Sequence, residues 1–486
     1  MASIAESLTI ALQHHQAGRL QEAEVVYRQI LQTQPQHPDA LHLLGVVAHQ
    51  RGCDDVAIEL IAKAIALNPS VPEYHNNLGN ALQERGEFDA AIASLRRAVA
   101  LNPGYAEAHA NLGNVLSEQD RLEEAITCYR QALFLKSDYP GARMNLGNAF
   151  RAFGRINEAL ECYRRVLRLD PGFTEARWNM SLALLLSGQF QEGWREYECR
   201  WELERARGRK RSFSQPEWDG SDIRGRTILV YVEQGIGDTL QFIRYAPLVA
   251  KRGARVVVEC HPSMQSLVAT VEGVAQVVAQ GDALPEFDVH ASLLSLPRIC
   301  GTTLDTIPAN VPYFTPHSRL ACAWKGKLAS DQQSFKVGLA WAGGSSDRKR
   351  DCPLALFAPL AKVRGVTFHS LQKGEAEKQA VDPPHGMVLR DVSSALNDFA
   401  DTAALIGNLD LVITIDTSVA HLAGAMGKPV WTMLRFAADW RWLLKREDSP
   451  WYPTMRLFRQ GRPGDWPGVV ADVAEALGQL MRRREK

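Results

Sequence analysis

The residues best suited to chemistry stand at the ends of apolar runs in the carboxy-terminal half of the chain. Helix-length segments separate most of these runs, which cover Thr227 to Val232, Arg255 to Glu259, Lys336 to Trp341, Val366 to Leu371, Leu409 to Ile415 and Val430 to Leu434. Such alternation predicts parallel sheets with helices on both faces. Because ligands of parallel sheets bind at the carboxyl ends of the strands, the residues after each run are candidates for a site.

The loop after the first run contains two glycines and a carboxylate. Gly235 and Gly237 let the backbone approach a ligand, and the helix that follows offers unpaired N–H groups to an anion or a polar sugar. Asp238 is the candidate reactive group of this loop, although a carboxylate at that position also serves as a simple helix cap. The Gly-x-Gly-Asp pattern alone does not separate the two functions.

Cationic and amide side chains follow the third and fourth runs. Loops that carry Arg and Lys suit a diphosphate, because guanidinium and ammonium groups donate charge-assisted hydrogen bonds to its oxygens. These two loops supply the following candidates for donor binding: Trp341, Arg348, Lys349, Arg350, Gln372 and Lys373.

The loop after the fifth run is the most specific in this half. It contains Asp416, Thr417, Ser418 and His421, followed by small residues that allow close helix packing. The hydroxyls and the N–H groups of the helix converge where a phosphate could bind. The alternative is a capped helix start with His421 buried against the sheet. Four polar loops at one edge of two sheets together favour a binding site.

The amino-terminal part of the chain repeats every 34 residues. The repeated positions are Gly45, Gly79, Gly113 and Gly147; Ala23, Ala57, Ala91, Ala125 and Ala159; and Pro35, Pro69, Pro103 and Pro171, with Ser137 at the remaining proline position. This period is the tetratricopeptide pattern, in which Gly and Ala allow two helices to pack closely and Pro ends the second helix. Six repeats are predicted over residues 1–210. The sixth is degenerate, with Ser181 and Gly193 at the Gly and Ala positions, as expected of an end repeat that packs on another domain.

A column of asparagines runs through four of these repeats at Asn77, Asn111, Asn145 and Asn179. These amides could tie neighbouring repeats together, or they could bind the backbone of an extended peptide, which offers donors and acceptors at regular spacing. The column and the recurring Asn-Leu-Gly-Asn resemble the repeats of O-linked N-acetylglucosamine transferases. That resemblance implies a protein or peptide partner bound along the repeats.

Composition excludes several classes of function. Lys plus Arg and Asp plus Glu both number 55, so no net field favours nucleic acid or an anionic membrane. No apolar run reaches the length of a membrane span and the first residues lack a secretory layout, which predicts a cytoplasmic protein. The eight cysteines are scattered and are expected to be reduced, and no metal-ligand spacing or Asp-x-Asp pattern indicates a metal cofactor.

The predicted organisation is an α-solenoid followed by two Rossmann-like α/β domains. After the repeats come a connector at 211–225, a first α/β domain at 226–316, a linker at 317–335 and a second α/β domain at 336–486. A basic, aromatic stretch from Trp194 to Trp218, with Arg205 to Arg211, is interpreted as the final helix plus connector. Its charges are predicted to form a solvated face.

The segment from Arg226 to about Leu480 resembles the heptosyltransferase-like glycosyltransferases, a family of GT-B fold. The matching motifs, in order, are Gly-x-Gly-Asp, the tract Asp398 to Asp410, Asp416-Thr-Ser-Val-Ala-His-Leu-Ala-Gly-Ala-Met-Gly-Lys-Pro, Asp439-Trp-Arg-Trp and Ser449-Pro-Trp-Tyr-Pro. The resemblance implies that Asp238 is the general base, on the acceptor side. It assigns Asp416, Thr417 and His421 to the sugar-nucleotide pocket and the basic loop Arg348 to Arg350 to the diphosphate.

The resemblance thus implies metal-independent, inverting transfer from a nucleotide-diphosphate sugar, with no other cofactor. The loop after Trp341 departs from the family, because it reads Gly-Gly-Ser-Ser where many relatives carry Asn, Pro and His. Heptosyltransferases lack the repeats, so their lipopolysaccharide acceptor is not carried over. The acceptor is expected to be a protein or peptide. The alternatives are a glycan acceptor, with repeats that dock partners, and a non-catalytic scaffold.

Overall fold

The computed structural model describes residues 3–204, 210–329, 333–344 and 348–484. Helices that pack in consecutive pairs form its amino-terminal part: α1 (Ile4–Gln16), α2 (Leu20–Thr33), α3 (Pro38–Gln50), α4 (Asp54–Leu67), α5 (Pro72–Glu84), α6 (Phe88–Leu101), α7 (Ala106–Glu118), α8 (Leu122–Leu135), α9 (Pro140–Ala152), α10 (Ile156–Leu169), α11 (Thr174–Leu186) and α12 (Phe190–Tyr197). This is the predicted helical-repeat solenoid. Contacts divide the chain into two compact units, Met1–Pro171 and Gly172–Lys486.

The glycine column exists because the two helices of a pair touch at that position. A Cβ added to Gly79 would lie 2.5 Å from Leu95 Cγ, and one added to Gly147 would lie 2.6 Å from Tyr163 Cε1. The alanines of the other column, such as Ala91 and Ala125, are fully buried. The packing reason given for the 34-residue period is therefore confirmed.

A second periodic feature lies in the turn between the two helices of a pair. Gly18, Gly52, Gly86 and Gly154 have φ between 72° and 78°, and Asp120 takes φ 55° at the equivalent position. Glycine is favoured there because L side chains rarely adopt this conformation. The turn therefore has the same left-handed backbone conformation in the repeat where Asp120 replaces the glycine.

The second unit contains two sheets in which every strand pair is parallel. The first has the order β3-β2-β1-β4 and the second the order β7-β6-β5-β8-β9-β10. The strands are β1 (Thr227–Tyr231), β2 (Arg255–Cys260), β3 (Val274–Ala279), β4 (Val289–Ser292), β5 (Phe335–Ala340), β6 (Val366–Ser370), β7 (Leu389–Arg390), β8 (Leu411–Ile415), β9 (Val430–Leu434) and β10 (Met455–Arg459). The second sheet has the doubly wound strand order. In each sheet, successive strands are added first on one side and then on the other side of the strand that comes first in the chain, β1 or β5.

All six apolar runs recognised in the sequence form strands of these sheets. The sequence did not reveal β3, β4, β7 and β10. β3 is an edge strand that is only partly buried, with Gln276 in its middle, and β7 has two residues. Edge strands lack the continuous apolar run that marks a strand buried on both faces.

Helices cover the sheets and shape the candidate site. They are α13 (Ile236–Phe242), α14 (Ala246–Lys251), α15 (Gln265–Val268), α16 (Leu296–Ile299), α17 (Ser318–Lys327), α18 (Phe399–Gly407), α19 (Ser418–Ala425) and α20 (Trp466–Arg484). The last helix closes the core of the second sheet, where Val473 and Leu477 are fully buried beside Phe357.

The segments predicted as connector and linker have structure of their own. In 211–225, Trp218 is buried, and its backbone N–H donates to the His290 carbonyl of β4 over 2.7 Å. In 317–335, α17 packs against α18, and the Asn408 amide donates to the Ala321 carbonyl over 3.0 Å. Both segments are thus integrated in the α/β unit. Residues 205–209 of the basic stretch lie outside the described residues.

Candidate functional site: a cleft at the carboxyl ends of two sheets

A cleft of about 1290 Å³ receives the carboxyl-end loops of both sheets. Most of the residues proposed from the sequence line it: Gly235, Gly237, Asp238, Trp341, Arg348, Arg350, Gln372, Lys373, Asp416, Thr417, Ser418 and His421. Lys349 is exposed and is not among its described lining residues. The ends of the strands thus bring residues from distant parts of the chain to one concave surface.

Asp238 lies in the first turn of α13, directly after β1. Its Oδ2 accepts a hydrogen bond of 3.0 Å from the backbone N–H of Gly235, the N-cap residue of the helix. Its Oδ1 accepts a hydrogen bond from the Arg441 guanidinium. Asp238 therefore acts as a helix cap and also faces the cleft, so that the two functions considered from the sequence coexist.

Arg441 connects the two sheets at the cleft. Its Nη1 donates to Asp439 Oδ1 over 2.8 Å, its Nε donates to Gln241 Oε1 over 2.7 Å, and its guanidinium lies 4.4 Å from the centre of the Trp440 ring. Burial lowers the pKa of this guanidinium, but the carboxylates of Asp439 and Asp238 outweigh burial and raise it. Arg441 thus remains a fixed cation beside the base candidate.

The carboxyl groups of the cleft have different pKa shifts. Burial raises the pKa of Asp238 above its usual value, and the Arg441 guanidinium opposes that rise. Burial, with the charge of Asp439, raises the pKa of Asp416 to about 6. Burial also acts against ionisation of Asp439, but the charge and hydrogen bonds of Arg441 prevail and lower its pKa. Groups with separated pKa values in one cleft are typical of catalytic sites.

His421 is buried in the helix that follows β8. Its Nδ1 lies 2.9 Å from the Tyr452 hydroxyl, and its ring stacks on Trp442 with 5.3 Å between ring centres. Burial lowers its pKa to about 3, so the imidazole is neutral. The N-cap residue of this helix is Thr417, whose side chain accepts from the Val419 N–H over 3.3 Å. The capped start and buried histidine of the alternative interpretation are present, but within the wall of the cleft.

Gly237 allows α13 and α19 to meet. A Cβ at this position would lie 3.2 Å from His421 Cδ2, closer than most side chains tolerate. The helix that carries Asp238 and the helix that carries His421 are therefore in direct contact.

The loop after β5 is folded around a carboxylate and a guanidinium. The Gly343 N–H donates to Asp351 Oδ1 over 2.8 Å, and a Cβ at Gly343 would lie 2.6 Å from Arg350 Nε. Gly343 thus leaves the space that Arg350 occupies. Arg348 is exposed and pairs with Glu375 at 3.0 Å. The predicted loop residues 345–347 lie outside the described residues.

Gln372 and Lys373 hold neighbouring loops. Gln372 Oε1 accepts from the N–H groups of Trp341 and Ala342, each over 2.9 Å, and its Nε2 donates to the carbonyls of Ala342 and Lys373. Lys373 Nζ donates to the Ser393 carbonyl over 2.9 Å. The Trp341 side chain is fully buried in the core of the second sheet. Gln372 and Trp341 therefore shape the cleft wall, and a direct donor contact by either stays a prediction.

The asparagine column makes contacts between repeats. The Nδ2 atom of Asn111 donates to Asn76 Oδ1 over 3.0 Å, and that of Asn145 donates to Asn114 Oδ1 over 2.9 Å. Asn77 Nδ2 lies 2.8 Å from His42 Nε2. Asn179 is half-buried on α11, in the second unit. The amide nitrogens of the first three asparagines thus link neighbouring repeats.

Arg441 and Asp439 were absent from the site proposed from the sequence, although they belong to the quoted Asp439-Trp-Arg-Trp motif. They follow β9, so the strand-end rule could have found them. Arg200 was part of the stretch interpreted as a solvated face, yet it is 4% exposed. Its partners Glu233, Ser292 and Ser295 lie at or just past the ends of β1 and β4, which the sequence alone could not reveal.

Membrane spans, disulfides and metal sites were also considered from the sequence. No described helix is long and apolar enough to cross a membrane. All eight cysteines are free thiols. Within the described residues, no group of three or more His, Cys, Asp or Glu side chains is arranged to hold a metal ion.

A family model agrees with the helical repeats. The family model of the cilia and flagella-associated protein 70 C-terminal domain, a tetratricopeptide-repeat model, matches residues 3–211. This chain therefore contains tetratricopeptide-like helical repeats within residues 3–211. Among solved structures, MamA is 29% identical and TTC0263 of Thermus thermophilus is 26% identical; they cover 33% and 38% of this chain, and this chain covers 93% and 100% of them, with TM-scores of 0.30 and 0.33.

A curated relative extends beyond the repeats. Protein FlbA of Caulobacter vibrioides is 28% identical over 325 residues, which make up 60% of this chain and 52% of FlbA. This chain therefore spans about half the length of the curated relative it matches.

Proposed function

We propose that the second unit is a glycosyltransferase of GT-B architecture, which moves a sugar from a nucleotide-diphosphate sugar to an acceptor hydroxyl. The observation that carries the proposal is the position of Asp238 in the wall of the 1290 Å³ cleft, where cationic loops of the second sheet also converge. A cleft at the carboxyl ends of two parallel sheets suits a ligand with a nucleotide at one end and a sugar at the other.

The cleft residues can perform inverting transfer without a metal ion. Asp238 takes the proton of the acceptor hydroxyl as the new glycosidic bond forms at the anomeric carbon and the bond to the diphosphate breaks. Arg350, Lys373 and the N–H groups at the start of α19 stabilise the charge of the departing nucleotide diphosphate.

The acceptor is proposed to be a protein or peptide bound by the repeats. Solenoid repeats form extended concave surfaces suited to such partners. Among the described residues, no side-chain hydrogen bond reaches Oδ1 of Asn111 or Asn145, whose Nδ2 atoms link the repeats. These oxygens can therefore accept hydrogen bonds from peptide N–H groups.

The use of the asparagine nitrogens between repeats favours a second candidate for the acceptor. If these side chains serve only the array, the enzyme transfers sugar to a glycan and the repeats dock other proteins. Replacing Asn77, Asn111 and Asn145 together with Ala separates the two. The triple variant should raise KM for a protein acceptor and leave a small glycan acceptor unaffected. Unchanged kinetics on a protein acceptor would remove the asparagine column from acceptor binding.

The test of the proposed function begins with a thermal-shift screen of the full chain against UDP, GDP, ADP, CMP and their sugar conjugates. A ligand that binds the native state raises the unfolding temperature. The nucleotide that does so identifies the donor, and turnover is then measured with the matching sugar conjugate. Asp238→Asn should lower turnover by about 10²- to 10⁴-fold and retain nucleotide binding. No shift with any nucleotide would favour the non-catalytic scaffold.

A further inference from the structure

Arg200 is a buried arginine just after the last helical pair, which consists of α11 and α12. It lies in the short 3₁₀ helix Glu198–Trp201 that follows α12, and it is 4% exposed. Its Nη1 donates to Glu198 Oε1 over 2.8 Å and to the Tyr197 carbonyl over 3.3 Å. Its guanidinium also stacks 4.6 Å from the centre of the Trp201 ring. One edge of the guanidinium is thus held by the helical pair itself.

The other edge of Arg200 is bonded to the first sheet. Nε donates to Glu233 Oε1 over 3.0 Å, and Nη2 donates to Ser295 Oγ over 2.8 Å and to Ser292 Oγ over 3.4 Å. Glu233 lies just past the end of β1, and the two serines lie at and beyond the end of β4. Arg200 therefore joins the carboxyl ends of the two strands that flank the switch point of this sheet.

Glu233 belongs to the loop that leads to Asp238. Two residues after it, Gly235 is the N-cap residue of α13, and the Gly235 N–H donates to the Asp238 carboxylate. The Glu233 side chain is 3% exposed and is not among the described residues that line the cleft. Its carboxylate is therefore placed to hold the loop and is not part of the described cleft wall.

We infer that Arg200 is a positioning residue, by which the last helical pair fixes the Asp238 loop in its productive geometry. The inference rests on the proposed function, since it takes Asp238 as the base. Two further contacts of the same helical pair agree with it. Gln234 Nε2 donates to the Tyr197 hydroxyl over 3.3 Å, and the Trp194 ring packs edge-on against Trp440, beside Arg441, with 5.2 Å between ring centres.

The first test compares Arg200→Met with the double variant Arg200→Met/Glu233→Gln. The single change leaves the Glu233 carboxylate buried without its cation and can prevent folding, whereas the double change removes that charge. In either of these two variants that folds, kcat should fall about 10- to 100-fold below that of the wild type, because small displacements of a reacting group are costly. The KM for the donor should stay close to that of the wild type. Arg200→Lys, which keeps the charge but loses the planar fork, should recover only part of kcat.

The matched control is Arg177→Met. Arg177 lies on α11 of the same helical pair and forms ion pairs with Glu196 of α12 and with Glu202, which lies just past the 3₁₀ helix. This variant should keep the kcat of the wild type. A loss of kcat equal to that of the Arg200 variants would overturn the inference, since general loosening of the helical pair would then suffice.

Hydrogen exchange measured by mass spectrometry tests the positioning without activity. Backbone amides of the segment 233–240 should exchange about tenfold or more faster in the folded Arg200 variant than in wild type and in Arg177→Met, since their local opening becomes easier. Unchanged exchange in this segment would overturn the inference even if the wild type transfers sugar. A wild type that binds no nucleotide, but whose Arg200 variant shows the faster exchange, would instead contradict the proposed function and leave Arg200 as the loop anchor.

Discussion

The Arg441 guanidinium pairs with the Asp238 carboxylate and so joins the loop after β1 to the loop after β9. The side chains of Arg441 and Asp238 are only 11% and 17% exposed, so solvent screens the pair weakly. Both carboxylate oxygens of Asp238 are bonded, one to Arg441 and one to the Gly235 N–H. The base proposed here is therefore oriented by the second sheet as well as by the first.

Replacing Arg441 with Gln should move the acidic limb of the pH profile of kcat/KM to higher pH. The base must be ionised, so activity falls as the pH drops through the pKa of Asp238. Burial raises that pKa and Arg441 opposes the rise. Because the variant lacks the opposing charge, the pKa of Asp238 should be higher in the variant than in the wild type. The profile is measured for wild type and for Arg441→Gln. The control is Arg446→Gln. This change also removes a guanidinium, but one whose partner is the exposed Asp448 and not a carboxylate of the cleft. An acidic limb that does not move would contradict the pairing.

Asp416→Asn should stabilise the chain at alkaline pH. The pKa of Asp416 is raised from 3.8 to about 6, so the folded chain prefers the protonated form. Its stabilising contribution is complete below pH 3.8 and is lost as the pH rises through about 6. The neutral amide avoids that loss. The free energy of unfolding of the variant should therefore exceed that of the wild type by roughly 1–3 kcal/mol above pH 7.

Urea unfolding of both proteins at about pH 8 and about pH 4 checks the sign of this effect. The gain should be present at the higher pH and small at the lower one. Asp222→Asn is the control, because hydrogen bonds from Arg224 lower the pKa of this exposed carboxyl to about 2, so the amide offers no such gain. An equal gain at both pH values would show that packing, not protonation, is responsible.

Gly237→Ala should separate α13 from α19. The added Cβ would lie 3.2 Å from His421 Cδ2, and the buried ring stacked on Trp442 has little room to move. We expect a loss of about 1–3 kcal/mol in the free energy of unfolding, together with reduced turnover. Gly326→Ala near the end of α17 is the control, since no atom lies within 4 Å of its added Cβ. Equal stability of the two variants would show that the helices are not in contact.

The hydrogen bond between Asn111 and Asn76 should couple neighbouring repeats. A double-mutant cycle with Asn76→Ala and Asn111→Ala should give a coupling free energy of about 0.5–1.5 kcal/mol, because the pair links α5 and α7 over 3.0 Å. Chemical unfolding of the four proteins measures it. Additive losses would leave peptide binding as the remaining reason for Asn111.

The sequence predicted the repeats well because their information is local. Gly79 and Gly147 meet residues 16 positions later in the chain, so one period of sequence contains the whole contact. The six buried strands were visible for a similar reason, since each is a continuous apolar run. Edge strands such as β3 were missed because partial burial leaves no such run.

The candidate site was predicted only where a strand end could be recognised. Asp238 and Asp416 stand close to the ends of apolar runs and were found, whereas Arg441, the partner of Asp238, lies several residues beyond the run that forms β9 and 203 residues from Asp238. No periodicity links the two. Arg200 was missed because it belongs to a stretch rich in charges, and such stretches usually form a solvated face. Only the tertiary contacts with Glu233 and Ser295 reveal its burial.

The last helical pair, α11 and α12, belongs to the second unit. This limits the places in the chain where repeats can be added or lost during evolution. Tetratricopeptide repeats are gained and lost as whole units, because each contacts mainly its neighbours. Duplication or deletion upstream of Pro171 alters the number of repeats without touching Arg200 or Trp194. A recombination point after the sixth repeat would instead strip the sheets of these side chains. We therefore expect recombinant chains to keep α11 and α12 with the α/β unit, while partner range evolves through the preceding repeats.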